Sequence, residues 1–243
     1  MSLLEFGCQN TLYIKNKEQY LEKDYIIDKS NAKIYKAIIE NNYFANSSFN
    51  NKASYKNFSL IYGSKSSGKT HLATIWARKN NAIEIIPNGK DLAEILNNYH
   101  EIKSNYFLID NIELFDATEL FHAFNLINES NKFCLITTSE YPFNSGLPDL
   151  NSRINAIKSF KLQNLNYESV YLFLKKQFLS KSINFTDNAL RYLGYRIPSE
   201  INKIEKIIDF LDKKSLQEQS KITTFFIKSI FHEMQNMNDI IEK

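Results

Sequence analysis

Residues Asn57–Thr70 read NFSLIYGSKSSGKT. The apolar run up to Tyr62 has the length of a short buried strand. It ends at Gly63, where GSKSSGKT fits G-x-x-x-x-G-K-[ST] at Gly63, Gly68, Lys69 and Thr70. The spacing has a physical purpose. The two glycines permit a tight loop whose backbone N–H groups turn inward toward phosphate oxygens. A helix starting at Lys69 adds the positive end of its dipole. Lys69 is placed for the β- and γ-phosphates and Thr70 for Mg²⁺. The loop residues Ser64, Lys65, Ser66 and Ser67 complete the cradle. With glycine near 7% of residues, a chance match in a chain this long is about a one-in-a-hundred event.

Outward from this loop, strand and helix patterns alternate. After the helix Lys69–Lys79 come a strand over Ala82–Ile86, stopped by Pro87, and a helix over Lys90–Asn98. A strand over Tyr106–Asp110, a helix over Ala117–Glu129 and strands over Lys132–Thr138 and Ser159–Leu162 follow. Such βαβα order implies an α/β fold with a parallel sheet covered on both faces. A helix over Lys29–Glu40 precedes it, with Ser30 or Asp28 as its cap. Asn41–Asn57 reads as a loop, and residues 1–24 as irregular and polar. From Asn166 onward the spacing is helical throughout, over Tyr167–Ser180, Thr186–Arg196, Ser199–Asp212 and Thr223–Glu233. This predicts a tail over 1–23, an α/β domain over 24–163 and an all-helical domain over 164–243.

The chain has 243 residues, 43% hydrophobic and 23% charged, with a net charge of +3. That is globular composition, and the charge is too small to argue for nucleic-acid binding by itself. Cys8 and Cys134 form no CxxC pair, which argues against a metal or disulfide framework; Cys134 reads as a buried thiol. The N-terminus lacks a basic-then-apolar signal pattern and no run reaches membrane-spanning length, so the expectation is a cytoplasmic protein.

A second acidic element is YFLIDNIE, Tyr106–Glu113. Four apolar residues deliver Asp110 to the carboxyl end of a strand, where ligands of open α/β sheets bind. Asp110 is thereby placed to hold Mg²⁺, directly or through water. Asn111 follows, where ATPases of this kind carry an acid that activates water; an amide cannot accept that proton. Glu113 could compensate, at an unusual spacing.

Several stretches together resemble the AAA+ ATPases of the DnaA lineage, most closely the short regulatory homologues of the Hda type. The resemblance spans roughly residues 24–230. Its carriers are DYIIDKSNAKIYKAI from Asp24, LIYGSKSSGKTHL, TTSEYP at Thr137–Pro142 and GLPDLNSRI at Gly146–Ile154. It implies an AAA+ core with a helical lid. It also implies an adenine site lined by Ile26, Ile27 and Asn31, and a sensor-1 position at Ser139 or Glu140. Arg153 becomes an arginine finger, acting on a neighbouring subunit's nucleotide. His71 goes with the nucleotide-facing residues, as a packed helix residue rather than a base. In the lid, Glu200-Ile201-Asn202-Lys203-Ile204-Glu205 aligns with a segment that carries the sensor-2 arginine; Asn202 stands at that position. Lys203 points about 100° away around the helix, which makes it a poor substitute. With Asn111, two hydrolytic contacts are missing. The expectation is a protein that binds ATP or ADP with Mg²⁺ and hydrolyses slowly or not at all.

The Hda-type role further implies two partners, the initiator DnaA and the sliding clamp (its β subunit). Gln9-Asn10-Thr11-Leu12-Tyr13 resembles the clamp-binding peptide of that family, with Gln9, Leu12 and Tyr13 at the matching offsets and Asn10 departing. The chain ends soon after the lid, without room for the initiator's DNA-reading domain, so DNA contact is expected only indirectly. A homodimer stays open. Two alternatives are a self-sufficient ATPase that loads helicases or remodels DNA, and a DNA-binding adaptor with the AAA+ core as scaffold. The aromatic-rich stretch Val170–Leu179 reads as lid core rather than a base-stacking surface.

Overall fold

Five parallel strands form one sheet in a computed structural model, which describes residues 20–40, 55–87 and 104–235. They are β1 (Phe58–Tyr62), β2 (Ile83–Ile85), β3 (Tyr106–Ile109), β4 (Phe133–Thr138) and β5 (Lys158–Lys161). Their order is β2-β3-β4-β1-β5. The strand carrying the phosphate-loop motif therefore lies between β4 and β5, with Tyr62 opposite Thr138 on one side and Lys161 on the other. Central strands are buried on both faces, as a covered parallel sheet requires. The edge strand β5 exposes Lys158 and Lys161, charges that discourage pairing with another chain.

Strand alternation sorts the core into two layers. Phe58, Leu60, Phe107, Ile109, Cys134 and Ile136 face one side, against α3 (Ala117–Glu129) and α4 (Pro148–Asn155). Ile61, Leu108 and Leu135 face the other, against α1 (Ala32–Tyr35) and α2 (Lys69–Asn80). Leu120, Ala123, Phe124 and Ile127 give α3 its buried stripe. Asp116 caps it, accepting hydrogen bonds from the N–H groups of Thr118 and Glu119. Cys134 is fully buried.

From Tyr167 on, the described elements are helices: α5 (Tyr167–Ser180), α6 (Asp187–Gly194), α7 (Ile201–Gln217) and α8 (Thr224–Gln235). They enclose a core of their own around Phe173, Leu174, Phe178, Leu190, Ile204, Ile208 and Ile227. Phe173 and Phe178 of the aromatic stretch are core, while Tyr171 packs at its margin.

The helix expected over Lys29–Glu40 is regular only from Ala32 and widens into a π-helix over Lys36–Glu40. Asp28 sets its start, accepting from the N–H groups of Ser30 and Asn31. The helix α4 had no counterpart in the sequence reading, although Pro148 at its first turn and Leu150 and Ile154 four apart are helix signals. The helix over Lys90–Asn98 lies outside the described residues.

Candidate nucleotide site

A cleft of about 500 Å³ opens between the carboxyl ends of the strands and the lid. That volume is typical of small-molecule sites. The loop residues Lys65, Ser66, Ser67, Gly68, Lys69 and Thr70 form its floor. Gly68 has φ +93°, the left-handed region that favours glycine, and it starts α2. Gly63 is needed for a different reason: a Cβ there would lie 2.1 Å from the carbonyl oxygen of Leu162. The Lys69 ammonium donates to the carbonyl oxygens of Gly63 and Ser64, both at 2.8 Å. Burial pulls its pKa below the ordinary lysine value, while the carboxylates of Glu113 and Asp110 push it back up. Ser64 donates to Asn164 at 2.6 Å, tying the loop to the chain segment that leads into the lid.

The loop fits a polyphosphate. Ser67 Oγ is buried without a hydrogen-bond partner among the described residues, the condition of a donor awaiting an acceptor. Thr70 Oγ1 lies 3.3 Å from Asp110 Oδ1. Two such oxygens suit a hard cation that keeps most of its waters and takes phosphate oxygens as further ligands. Among the described residues no cluster of three or more His, Cys, Asp or Glu could hold a metal by itself.

Asp110 is braced by the neighbouring strand β4 and by the residue that follows it. Thr137 Oγ1 donates to its Oδ1 at 2.6 Å, and Asn111 Nδ2 donates to its Oδ2 at 3.1 Å. Asn111 itself has φ +54°, a conformation asparagine tolerates better than most residues. Its amide thus orients Asp110 and its backbone serves the turn. Beyond it, Glu113 reaches Ser139 across the strand ends.

The far wall is the segment from Tyr20 to Asn31, whose N-terminal part carries no regular sequence pattern. Tyr20, Asp24, Tyr25, Ile26 and Asn31 line the cleft. Tyr20 O accepts from Arg78, Leu21 O faces His71 Nε2 at 2.9 Å, and Glu22 pairs with Lys79. These contacts bind the segment to α2. Asn31 is buried and staples the turn, donating to Ile26 O and accepting from Asp28 N, both at 2.8 Å. Asp28 also accepts from Ser169 Oγ, and Lys176 pairs with Asp24 at 3.1 Å, so the same segment reaches the lid. His71 lines the cleft, packed between Tyr20 and Tyr25; burial lowers its pKa, which suits a neutral packed ring. From the lid come Leu165, Phe173, Gln177, Ile201, Asn202 and Glu205.

Of the expected residues, Gly63, Ser64, Asp110, Ile27, Glu140 and Arg153 do not line the cleft. Ile27 is 49% exposed and does not line it, because the segment alternates and Ile26 takes the inward place. Glu140 is exposed beyond the end of β4, and Ser139 faces the cleft instead. Arg153, on α4, is partly buried away from the cleft. It pairs with Asp149 at 2.7 Å, donates to Asn125 and lies over the Phe121 ring at 4.8 Å. Gln9, Leu12 and Tyr13 lie outside the described residues. Tyr20, Tyr25, Leu165, Gln177 and Glu205 were not anticipated. They are scattered singly through the sequence, and only Phe173, read as core, carried any signal.

The lid residues 169–231 match the family model described as "Hda, lid domain". Among solved structures, domain III of the Thermotoga maritima replication initiation protein DnaA aligns with a TM-score of 0.66 and 19% identity, over 89% of this chain and 95% of that one. A replication initiator DnaA solved with AMPPCP and single-stranded DNA gives 0.59 and 17%, over 82% and 68%. The Thermotoga maritima RuvB Holliday junction branch migration motor gives 0.62 and 16%, over 85% and 70%. Among the described residues no helix is long and apolar enough to cross a membrane. Residues 169–231 thus match the Hda lid family, and the likeness to the DnaA and RuvB structures shows that the chain shares their fold.

Proposed function

We propose that this chain is an Hda-type regulator that binds ATP or ADP with Mg²⁺ and acts on the nucleotide of a DnaA-type initiator. The observation that carries the reading is the joint one: a segment matching the Hda lid stands over a cleft lined by the phosphate loop, and Asn111 and Asn202 line the same cleft at the positions that the family resemblance assigns to an acid and an arginine. Lys69 and the loop amides bind phosphates, Thr70 and Asp110 hold the cation, and Ile26, Leu165, Phe173 and Ile201 offer apolar surface to a base. The bound nucleotide supplies a polyanion that the loop, the 20–31 segment and the lid share. Because the segment touches α2 and α5 through side chains already in place, binding fixes the lid against the sheet.

Arg153 is the residue assigned to act in trans. It does not line its own subunit's cleft. Its partners at home are an exposed aspartate one helical turn away, an amide and the Phe121 ring, contacts that a phosphate would replace on docking. Gln9, Leu12 and Tyr13 are assigned to the sliding clamp, with Leu12 and Tyr13 entering an apolar pocket.

The test is a mixed assay with purified initiator, clamp and DNA. This protein should accelerate loss of ATP from the initiator, and Arg153→Ala should abolish the acceleration while leaving nucleotide binding by the chain itself intact. No acceleration by the wild type rejects the reading. Turnover at the rate of an ordinary ATPase by the chain alone, abolished by Lys69→Ala, would favour a self-sufficient motor.

A further inference from the structure

The helix α6 (Asp187–Gly194) and the turn just past it carry Arg191, Tyr192, Tyr195 and Arg196. At 100° per residue these four fall within about 140° of one another around the axis. They share the outer side of the helix, while Ala189, Leu190 and Leu193 are buried in the lid core. None of the four lines the nucleotide cleft.

The rings on this side stand among cations. The Arg191 guanidinium lies 4.6 Å from the centre of the Tyr171 ring, and the Lys175 ammonium 5.5 Å from it. Arg196 lies 3.8 Å over the Tyr192 ring, and Lys228 of α8 lies 5.6 Å from the same ring. Tyr167 and Tyr195 stack on each other, with centres 3.6 Å apart and planes 14° apart. Gly194 makes room for that stack, since a Cβ there would lie 3.3 Å from the Tyr167 ring. With one face against Tyr167, Tyr195 is still 69% exposed, so its other face is open to solvent.

The charges are unevenly matched. Asp187 alone answers Lys175 and Arg191, at 3.4 and 2.8 Å. Arg196 and Lys228 take part in none of the ion pairs among the described residues. A net charge of only +3 for the chain thus conceals a local excess of cations on the lid. A single-stranded nucleic acid is complementary on both counts. Its phosphates answer cations that lack a carboxylate of their own, and an unpaired base extends the Tyr167–Tyr195 stack by one ring. An acidic peptide would satisfy the cations and leave the open ring unused. A duplex keeps its bases stacked on one another.

We propose that the outer side of the lid binds single-stranded nucleic acid, a base stacking on Tyr195 and phosphates pairing with Arg196 and Lys228. The surface is separate from the nucleotide cleft, and the proposal stands whether or not the cleft is loaded.

Fluorescence anisotropy with labelled oligo(dT), oligo(rU) and a DNA duplex, each about 20 nucleotides long, tests it. The wild type should bind the single strands, more weakly as salt rises, and the duplex less well. Tyr195→Ala should weaken single-strand binding by about tenfold, and Tyr195→Trp, which keeps a flat ring, should retain it. Arg196→Ala combined with Lys228→Ala should lower the slope of log affinity against log salt by about 1.4, from two phosphate contacts at about 0.7 each. These side chains lie outside the lid core, and circular dichroism melts that match the wild type confirm the fold. Binding of either strand with these dependences supports the proposal, and the tighter of the two names DNA or RNA as the ligand. A folded wild type that binds neither strand at about 50 mM salt overturns it. So do an affinity unchanged in every variant, equal affinity for the duplex, and capture of polyglutamate instead of the strands with the same residue dependence.

Discussion

Replacing Gly63 with alanine should damage the molecule far more than the same change at Gly146. The added Cβ at Gly63 would lie 2.1 Å from Leu162 O and 3.1 Å from Leu162 C, both backbone atoms. Nothing flexible can give way. Relief needs roughly 1 Å of movement between the end of β1 and the end of β5, and overpacking of that kind costs about 1–3 kcal/mol. The Leu162 N–H bond to Tyr62 O, 2.7 Å long, is the contact that such a shift stretches. Losing it adds about 0.5–1.5 kcal/mol. The total, about 2–4 kcal/mol, is a large part of ordinary fold stability and corresponds to a melting point lower by about 5–15 °C in a chain of this size. Gly146 has open space around its Cβ position and φ +84°, so alanine there meets only backbone strain, about 1–2 kcal/mol. Thermal melts followed by circular dichroism, paired with ADP titration, read both effects. Gly63→Ala should lose both stability and binding, because Gly63 O and Ser64 O also seat the Lys69 ammonium. Gly146→Ala should lose a little stability and keep binding. A Gly63→Ala protein with wild-type melting and wild-type affinity would refute the close-approach argument.

Two further outcomes follow from the segment and the lid. Asp28→Ala removes the acceptor shared by Ser30, Asn31 and Ser169, a loss of about 1–2 kcal/mol once partial exposure is allowed for. Burial raises the Asp28 pKa, but the hydrogen bonds from Ser169, Ser30 and Asn31 outweigh it and hold the folded-state pKa down. The wild-type advantage over Asp28→Ala is therefore full above the unfolded carboxylate value, about pH 4, and disappears as the pH falls below it through the folded-state pKa; melts between pH 7 and pH 3 measure it. Asn202→Arg puts a guanidinium on the cleft-lining face of the lid and should tighten ATP more than ADP, by about tenfold, in competitive titration.

Much of this arrangement is legible in the sequence because it rests on local patterns. The strand-loop-helix at Phe58–Asn80 announces itself through two glycines, a lysine and the apolar runs on either side. The helices Ala117–Glu129 and Tyr167–Ser180 follow from their periodicity. What stays hidden is whatever depends on pairs distant in sequence. Gly63 answers to a carbonyl 99 residues away, a contact no local rule encodes. Glu113 meets Ser139 only because β3 and β4 are neighbours in the sheet. Ile26 and Ile27 are equivalent by composition, and only the turn stapled by Asn31 decides which faces inward. The stretch Tyr20–Asp24 looks polar and shapeless alone; its order comes from His71, Arg78 and Lys79 on the helix beneath it.

The central claim is that the cleft above Lys69 holds a nucleotide by its phosphates. Titration of ADP with Mg²⁺ into the wild type and into Lys69→Ala addresses it most directly, with circular dichroism to confirm that both are folded. The wild type should bind, and loss of the Lys69 ammonium should weaken ADP by about tenfold or more. Equal binding by the two proteins, or no binding by the folded wild type at millimolar ADP, would contradict it.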